Sequence, residues 1–373
     1  MAPFLHLRTV AKKISLPGVA LLLAGLLTAC VDEIDLGQAA NLDEGIVLQG
    51  SLRFDGRTAE VDVKLEKLFS FASNRPDRIA NATVTLESEN GARRDLPYRD
   101  GTYRTTLSVD DPDLELAAGT AYRITATTRE GRTFASEYER IPAAVTPTEL
   151  RAVPVTLRRV SPTTGDFVEI PGLSYRISVP AEDADGRPAY FRFRADQTFA
   201  LTMQMTGYFP LSDRDFPCYL TQPEITTEVA VLSGATYAPG PVTDAEVFAD
   251  EIDFRYAQGS YVTVYQENIS AAAYRYFNQV ATLADQSQSI FTNPPGPVTG
   301  NVYDEAGLTG NVFGYFYAAN VQTIRRSVTP DEAGNPPTLC PFDAGPDQDP
   351  PLECTACFAL PNAVDKPDFW EFW

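Results

Sequence analysis

Tyr122-Arg-Ile-Thr-Ala126, then Glu130-Gly131, then Phe134-Ala-Ser-Glu-Tyr138 decide the fold class. Apolar and polar side chains alternate on both sides of the Glu-Gly pair. Each run therefore has one face for a core and one for water, which is the period of a β-strand. Gly131 supplies the positive φ that a tight hairpin needs. The same pattern extends outward through Val84/Leu86, Tyr103/Thr105/Leu107 after Asp100-Gly101, and the runs Ile46–Phe54 and Glu60–Leu65. About six or seven short strands in roughly 100 residues predict an immunoglobulin-like or transthyretin-like β-sandwich. It should occupy residues 45–145 of a mainly β chain.

Residues 143–165, with Pro147, Pro154 and Pro162, read as a joint. A second β-rich domain with one or two helices follows over 146–329. Its expected strands are Leu173–Val179, Ala189–Ala195, Ile225–Leu232, Glu251–Tyr256, Tyr261–Tyr265 and parts of Val312–Val328, with a Pro/Gly-rich loop at Asn293–Asn311. Ser270 can cap a helix whose Tyr274, Phe277, Ala281 and Ala284 recur on one face. Tyr256, Tyr261 and Tyr265 lie in a tyrosine-dense stretch that suits either half-buried strands or a ligand platform. Residues 330–373 form a Pro-rich, Cys-containing tail expected to pack on the body through Phe369-Trp-Glu-Phe-Trp373. Trp370 and Trp373 are alternatively partner-facing anchors.

The N-terminus reads as an address. Residues 1–29 carry Arg8, Lys12 and Lys13 without an acid, then the apolar run Leu16–Leu27, too short to span a bilayer. Leu27-Thr-Ala-Cys30 resembles the lipobox of bacterial lipoproteins, so Cys30 is the expected lipidated residue and 1–29 the signal peptide. The acidic stretch 30–44 reads as a tether. Its Asp32, Glu33 and Asp35 serve either as an export signal for the outer face of the outer membrane or as a solvated linker.

The chain holds 50 Asp+Glu against 30 Lys+Arg, a net charge of −20 that argues against nucleic acid as a partner. Cleavage after residue 29 takes those three bases and no acid, moving −20 to −23. It also takes His6, the single histidine, and with it Ser-His-Asp triads and imidazole metal sites. Cys218, Cys340, Cys354 and Cys357 remain, an even set that predicts two disulfides in any of the three connectivities. Cys354-Thr-Ala-Cys357 lies in a Pro-rich tail, not at a helix start beside a second CxxC, which disfavours redox and zinc readings. Asp183 and Asp185 are the best calcium candidates, with Asp110–Asp113 and Asp343/Asp347/Asp349 behind them. Asp and Gly in such runs also suit plain turns. No nucleophile elbow, phosphate loop or dinucleotide fingerprint occurs, and no carboxylate pair is singled out. The expectation is a protein without enzymatic activity, cofactor or resident metal.

Three further stretches carry a family resemblance: Ala118–Phe134, Val312-Phe-Gly-Tyr-Phe-Tyr-Ala-Ala-Asn320, and Cys354–Trp370 with its CxxC and Lys366-Pro-Asp-Phe-Trp370. They resemble Bacteroidota lipoproteins catalogued as domain of unknown function 4249. One departure is Ala359–Val364, where relatives often carry glycines. The resemblance implies an outer-membrane lipoprotein often encoded beside a TonB-dependent receptor, with no catalytic residues assigned. The functional expectation is an accessory or binding partner of such a transporter, capturing ligand or acting as a lid, and facing the cell exterior. A structural or adhesive surface lipoprotein is the alternative, and an enzyme of unknown type a distant one.

Overall fold

Among the described residues, the two largest hydrophobic cores lie against one long sheet. The computed structural model describes residues 45–68, 77–203, 216–226, 228–286, 298–307, 312–340 and 351–372. Cys30, the acidic stretch, Trp373 and the Asp343/Asp347/Asp349 cluster lie outside the described residues. The principal elements are β1 (Ile46–Phe54), β2 (Thr58–Lys67), β3 (Thr83–Ser88), β4 (Thr102–Ser108), β5 (Ala121–Thr127), β6 (Thr133–Ser136), β7 (Glu149–Val160), β8 (Phe167–Val179), β9 (Tyr190–Met203), β10 (Phe216–Gln222), β11 (Val242–Glu251), β12 (Ser260–Ile269), α1 (Ala271–Gln286) and β13 (Phe316–Val328). The fold is mainly β, as the alternation predicts.

The large sheet runs β10-β9-β12-β13-β1-β2-β4. Its two halves meet where β1 pairs in parallel with β13, from Gly50 opposite Phe316 to Phe54 opposite Asn320. The boundary expected near residue 145 therefore separates two cores but not the sheet. In the first core, Leu48, Leu52, Val61, Val63 and Phe316 meet Val84, Leu86, Tyr122, Ile124 and Phe134 of a smaller sheet built on β3, β5 and β6, giving the sandwich. In the second, Phe191, Phe193, Ala195, Val262 and Val264 meet Leu173, Tyr175, Ile177 and Val179 of β8. Both cores use the same side of the large sheet, because strand side chains alternate. The other side is left to polar residues, to α1 and to the C-terminal tail.

Four expectations need correction. Within the expected loop Asn293–Asn311, Val302–Asp304 is a short strand that pairs with β6. The Pro-rich joint contains β7, a 12-residue strand in which Pro154 sits opposite Leu173. It is an edge strand of the sheet β7-β8-β11, where a residue lacking an N–H breaks no ladder on its open side. The expected strand Glu251–Tyr256 is instead the end of β11 followed by a 3₁₀ turn, Phe254–Tyr256, started by Asp253 accepting from the Arg255 amide at 2.9 Å. Within Ile225–Leu232 the described strand is Ala230–Ser233. The helix forms as its pattern predicts: Ser270 Oγ accepts from the Ala273 amide at 3.0 Å, and Tyr274 and Phe277 pack on Tyr315, Tyr317 and Ile269.

Candidate functional site

Arg192 and Arg194 alternate with Phe191 and Phe193 on β9. The two phenylalanines enter the core, so the two arginines stand on the opposite side of the sheet. Register then sets their neighbours: Arg192 lies opposite Glu267 and Arg194 opposite Tyr265 on β12. Tyr317 on β13, next to Ser51 on β1, continues the same side, followed by Asp62 on β2.

Glu267 is completely buried and organises the group. One carboxylate oxygen accepts from Arg192 Nη1 at 2.8 Å and from the Tyr317 hydroxyl at 3.0 Å; the other accepts from Arg194 Nε at 2.7 Å. Burial opposes charge on Glu267, but Arg192, Arg194 and Arg53 outweigh it and hold the carboxyl below its usual 4.5. Burial, and then the negative Glu267, push the Tyr317 hydroxyl up to about 12, so it stays protonated and donates. Charge-assisted bonds of this kind are short and directional, which fixes the guanidinium planes.

Helix α1 forms one wall. Phe277 lies under Arg192, with the guanidinium carbon 4.7 Å from the ring centre, and packs edge-on against Tyr317. Tyr276 stacks on Tyr315 at 4.5 Å. Tyr315 donates to Glu139 at 2.5 Å, and Glu139 also accepts from the cap residue Ser270, so the start of the helix is tied to the sheet. Gly314, at φ 115°, makes the bend before β13; a side chain there would collide with the Leu48 carbonyl. Together these elements form an open cavity of about 320 Å³. Arg53, Lys64, Arg192 and Arg194 line it against Asp62 and Glu224, with Tyr276, Phe277 and Tyr315 supplying ring faces. What the arrangement supplies chemically is recognition: fixed cationic donors beside aromatic surface.

The residues expected from the sequence are distributed otherwise. Tyr256 is enclosed in the second core, bonded to Tyr175 and Asp250, so it is not a surface contact. Tyr261 and Trp370 are also buried, because the tail folds back and packs Phe369, Trp370 and Phe372 around Tyr261 at 5.1–5.4 Å. Their rings face each other within the body. Tyr265 comes nearest the site: its hydroxyl donates to Asp196 at 3.1 Å and its ring lies under Arg194. The disulfides are Cys218–Cys357 and Cys340–Cys354, so the CxxC pair does not close on itself. Asp183 accepts from the amides of Asp185 and Arg187, and Asp185 pairs with Arg187, which makes that cluster a turn. Among the described residues no group of three or more His, Cys, Asp or Glu is placed to hold a metal, and no helix is long and apolar enough to cross a membrane.

Sequence reading missed Arg53, Arg192, Arg194 and Glu267. The available signal was the pair of arginines spaced by two inside an otherwise core-forming strand, which marks a charged stripe on the far side.

A sheet-centred β protein with a cationic, ring-lined pocket is the class that fold and site define. By its match over residues 32–325, the chain belongs to the family described as "Domain of unknown function (DUF4249)". The match ends ahead of the disulfide-bonded tail. No curated protein matches the chain.

Proposed function

We propose that this is a non-enzymatic Bacteroidota lipoprotein, anchored in the outer membrane by lipid on Cys30 and facing the cell exterior. There it partners a TonB-dependent transporter, with the pocket side turned toward the barrel to capture ligand or close over it. The observation that carries the reading is the pocket itself. Arg192 and Arg194 are oriented by the buried Glu267, with Arg53 beside them, next to an aromatic wall, an arrangement that suits holding a molecule. The basic and apolar segment before Cys30 and the family membership support the anchoring. The strongly acidic surface keeps the body soluble and weakly repelled from anionic lipid.

An adhesive role draws on a separate feature. The far end of the β7–β8 hairpin exposes Val160, Phe167 and Val168, with Arg158 stacked on Phe167 at 4.9 Å. An apolar tip of this kind suits contact with surface material.

Affinity purification of the tagged full chain from mildly solubilised membranes tests the main reading. It is expected to bring down an outer-membrane barrel in comparable amount, and Cys30→Ala is expected to move the chain into the soluble fraction. Recovery of the chain alone would overturn the partnership, and membrane retention of the Cys30 variant would overturn the lipid anchor.

A further inference from the structure

Among the described residues, arginines with a buried Nε or Nη group are of more than one kind. Arg255 uses all three of its nitrogens: Nε on Asp253, Nη1 on Gln197, and Nη2 on Asp250. That network is closed and structural. Arg192 and Arg53 differ. Arg192 commits Nη1 to Glu267 and Tyr317, and Arg53 commits its two Nη groups to Ser51 and Glu60. The Nε of each is buried and has no hydrogen-bond partner, a condition that among the described arginines Arg94 and Arg132 share away from this cavity. Arg192 and Arg53 both line the cavity.

Leaving such a donor unpaired in the interior is costly, so each one calls for an explanation. The four cations of the cavity are matched in number by Asp62, Glu224, Glu267 and the Glu60 that pairs with Arg53, so what the cavity offers a ligand is the pair of unpaired Nε donors, not surplus charge.

We propose that the pocket takes a small organic acid, its carboxylate on Arg192 and Arg53 and its apolar or ring portion against Tyr276 and Phe277. A planar carboxylate matches the guanidinium edge, where Nε and an Nη group lie side by side. A phosphate site would more typically be built from a run of free backbone N–H groups. Here the donors stand on β1 and β9, whose backbones are paired into the sheet. The cavity of about 320 Å³ falls at the lower end of small-molecule sites. This inference rests on the capture reading above and narrows it to one class of ligand.

The probes are N-acetylphenylalanine and benzoate, each compared with its neutral amide, titrated into the full chain. The readout is the arginine Nε–H resonance that disappears in Arg192→Lys. That substitution keeps the positive charge beside Glu267 but removes the planar fork. The acids are expected to shift the resonance, and both the amides and the lysine variant should bind about tenfold more weakly or worse. Melting temperature of the variant is measured alongside, since an unfolded variant would prove nothing about the fork. Arg53→Lys, read at the Arg192 resonance, supplies the second variant. Amides that bind as well as the acids would overturn the carboxylate assignment while leaving ligand capture standing. If neither acids nor amides bind, yet the chain still copurifies with a barrel, the carboxylate assignment falls and the transporter partnership survives.

Discussion

Replacing Cys218 and Cys357 together with alanine is expected to lower the free energy of unfolding by about 5 kcal/mol, against about 3 kcal/mol for the Cys340/Cys354 pair. The difference follows from the loops they close. Cys218 and Cys357 are 139 residues apart and Cys340 and Cys354 only 14, and a cross-link removes more freedom from the unfolded chain when its loop is longer. All four of these cysteines are buried, so the alanines leave a small void in either variant and the loop length sets the difference. Loosening the Cys218–Cys357 bond frees the start of the tail segment whose Trp370 covers Tyr219 and Tyr261. Urea unfolding under non-reducing conditions measures both variants. A larger loss from the short-range pair, or none from either, would contradict the assignment of Cys218–Cys357 as the main clamp on the tail.

Glu267→Gln is expected to cost about 3–5 kcal/mol near neutral pH, because it strips the shared counter-ion from two mostly buried arginines. The amide keeps the shape of the carboxylate, so packing is little changed. Its oxygen can still accept from one arginine, but its NH₂ group then confronts the other. The loss should depend on pH in a defined direction. The folded carboxyl lies below its usual 4.5, held there against burial by Arg192, Arg194 and Arg53. A depressed acid stabilises the fold above its unfolded pKa, and that contribution disappears as pH falls through the folded value. The gap between parent and variant should therefore be full at about pH 7 and shrink toward about pH 3, as followed by urea midpoints. A constant gap, or a variant as stable as the parent at neutral pH, would show that the buried carboxylate does not organise the arginines.

The β class was legible because the code for it is local. Tyr122, Ile124 and Ala126 alternate with polar neighbours, Gly131 turns the chain, and no distant residue is needed to read that. Ser270 and the spacing of Tyr274 and Phe277 announce α1 in the same way. Pro154 misleads for a physical reason: proline breaks a central strand but not an edge strand, and edge position is a property of the sheet. The pocket is hidden one level further. Alternation says that Arg192 and Arg194 face away from Phe191 and Phe193. It does not say that β12, β13 and β1 will stand beside them, since those neighbours come from pairings across 75 and 125 residues. The tyrosine-rich stretch stays open between its two readings in the sequence for the complementary reason. Tyr261 reads as available until a tail more than 100 residues later, its turn reaching Trp370 after Lys366-Pro367, folds over it.

The central claim is that the pocket side of the large sheet is the working face. Site-specific photo-crosslinking in living cells tests it most directly, with the reactive residue placed at Gln49 on the pocket rim or at Arg93 on the smaller sheet, both exposed. The expected result is a barrel-sized adduct from Gln49 and none from Arg93. An adduct from Arg93 alone, or from neither position while the chain remains at the outer membrane, would contradict it.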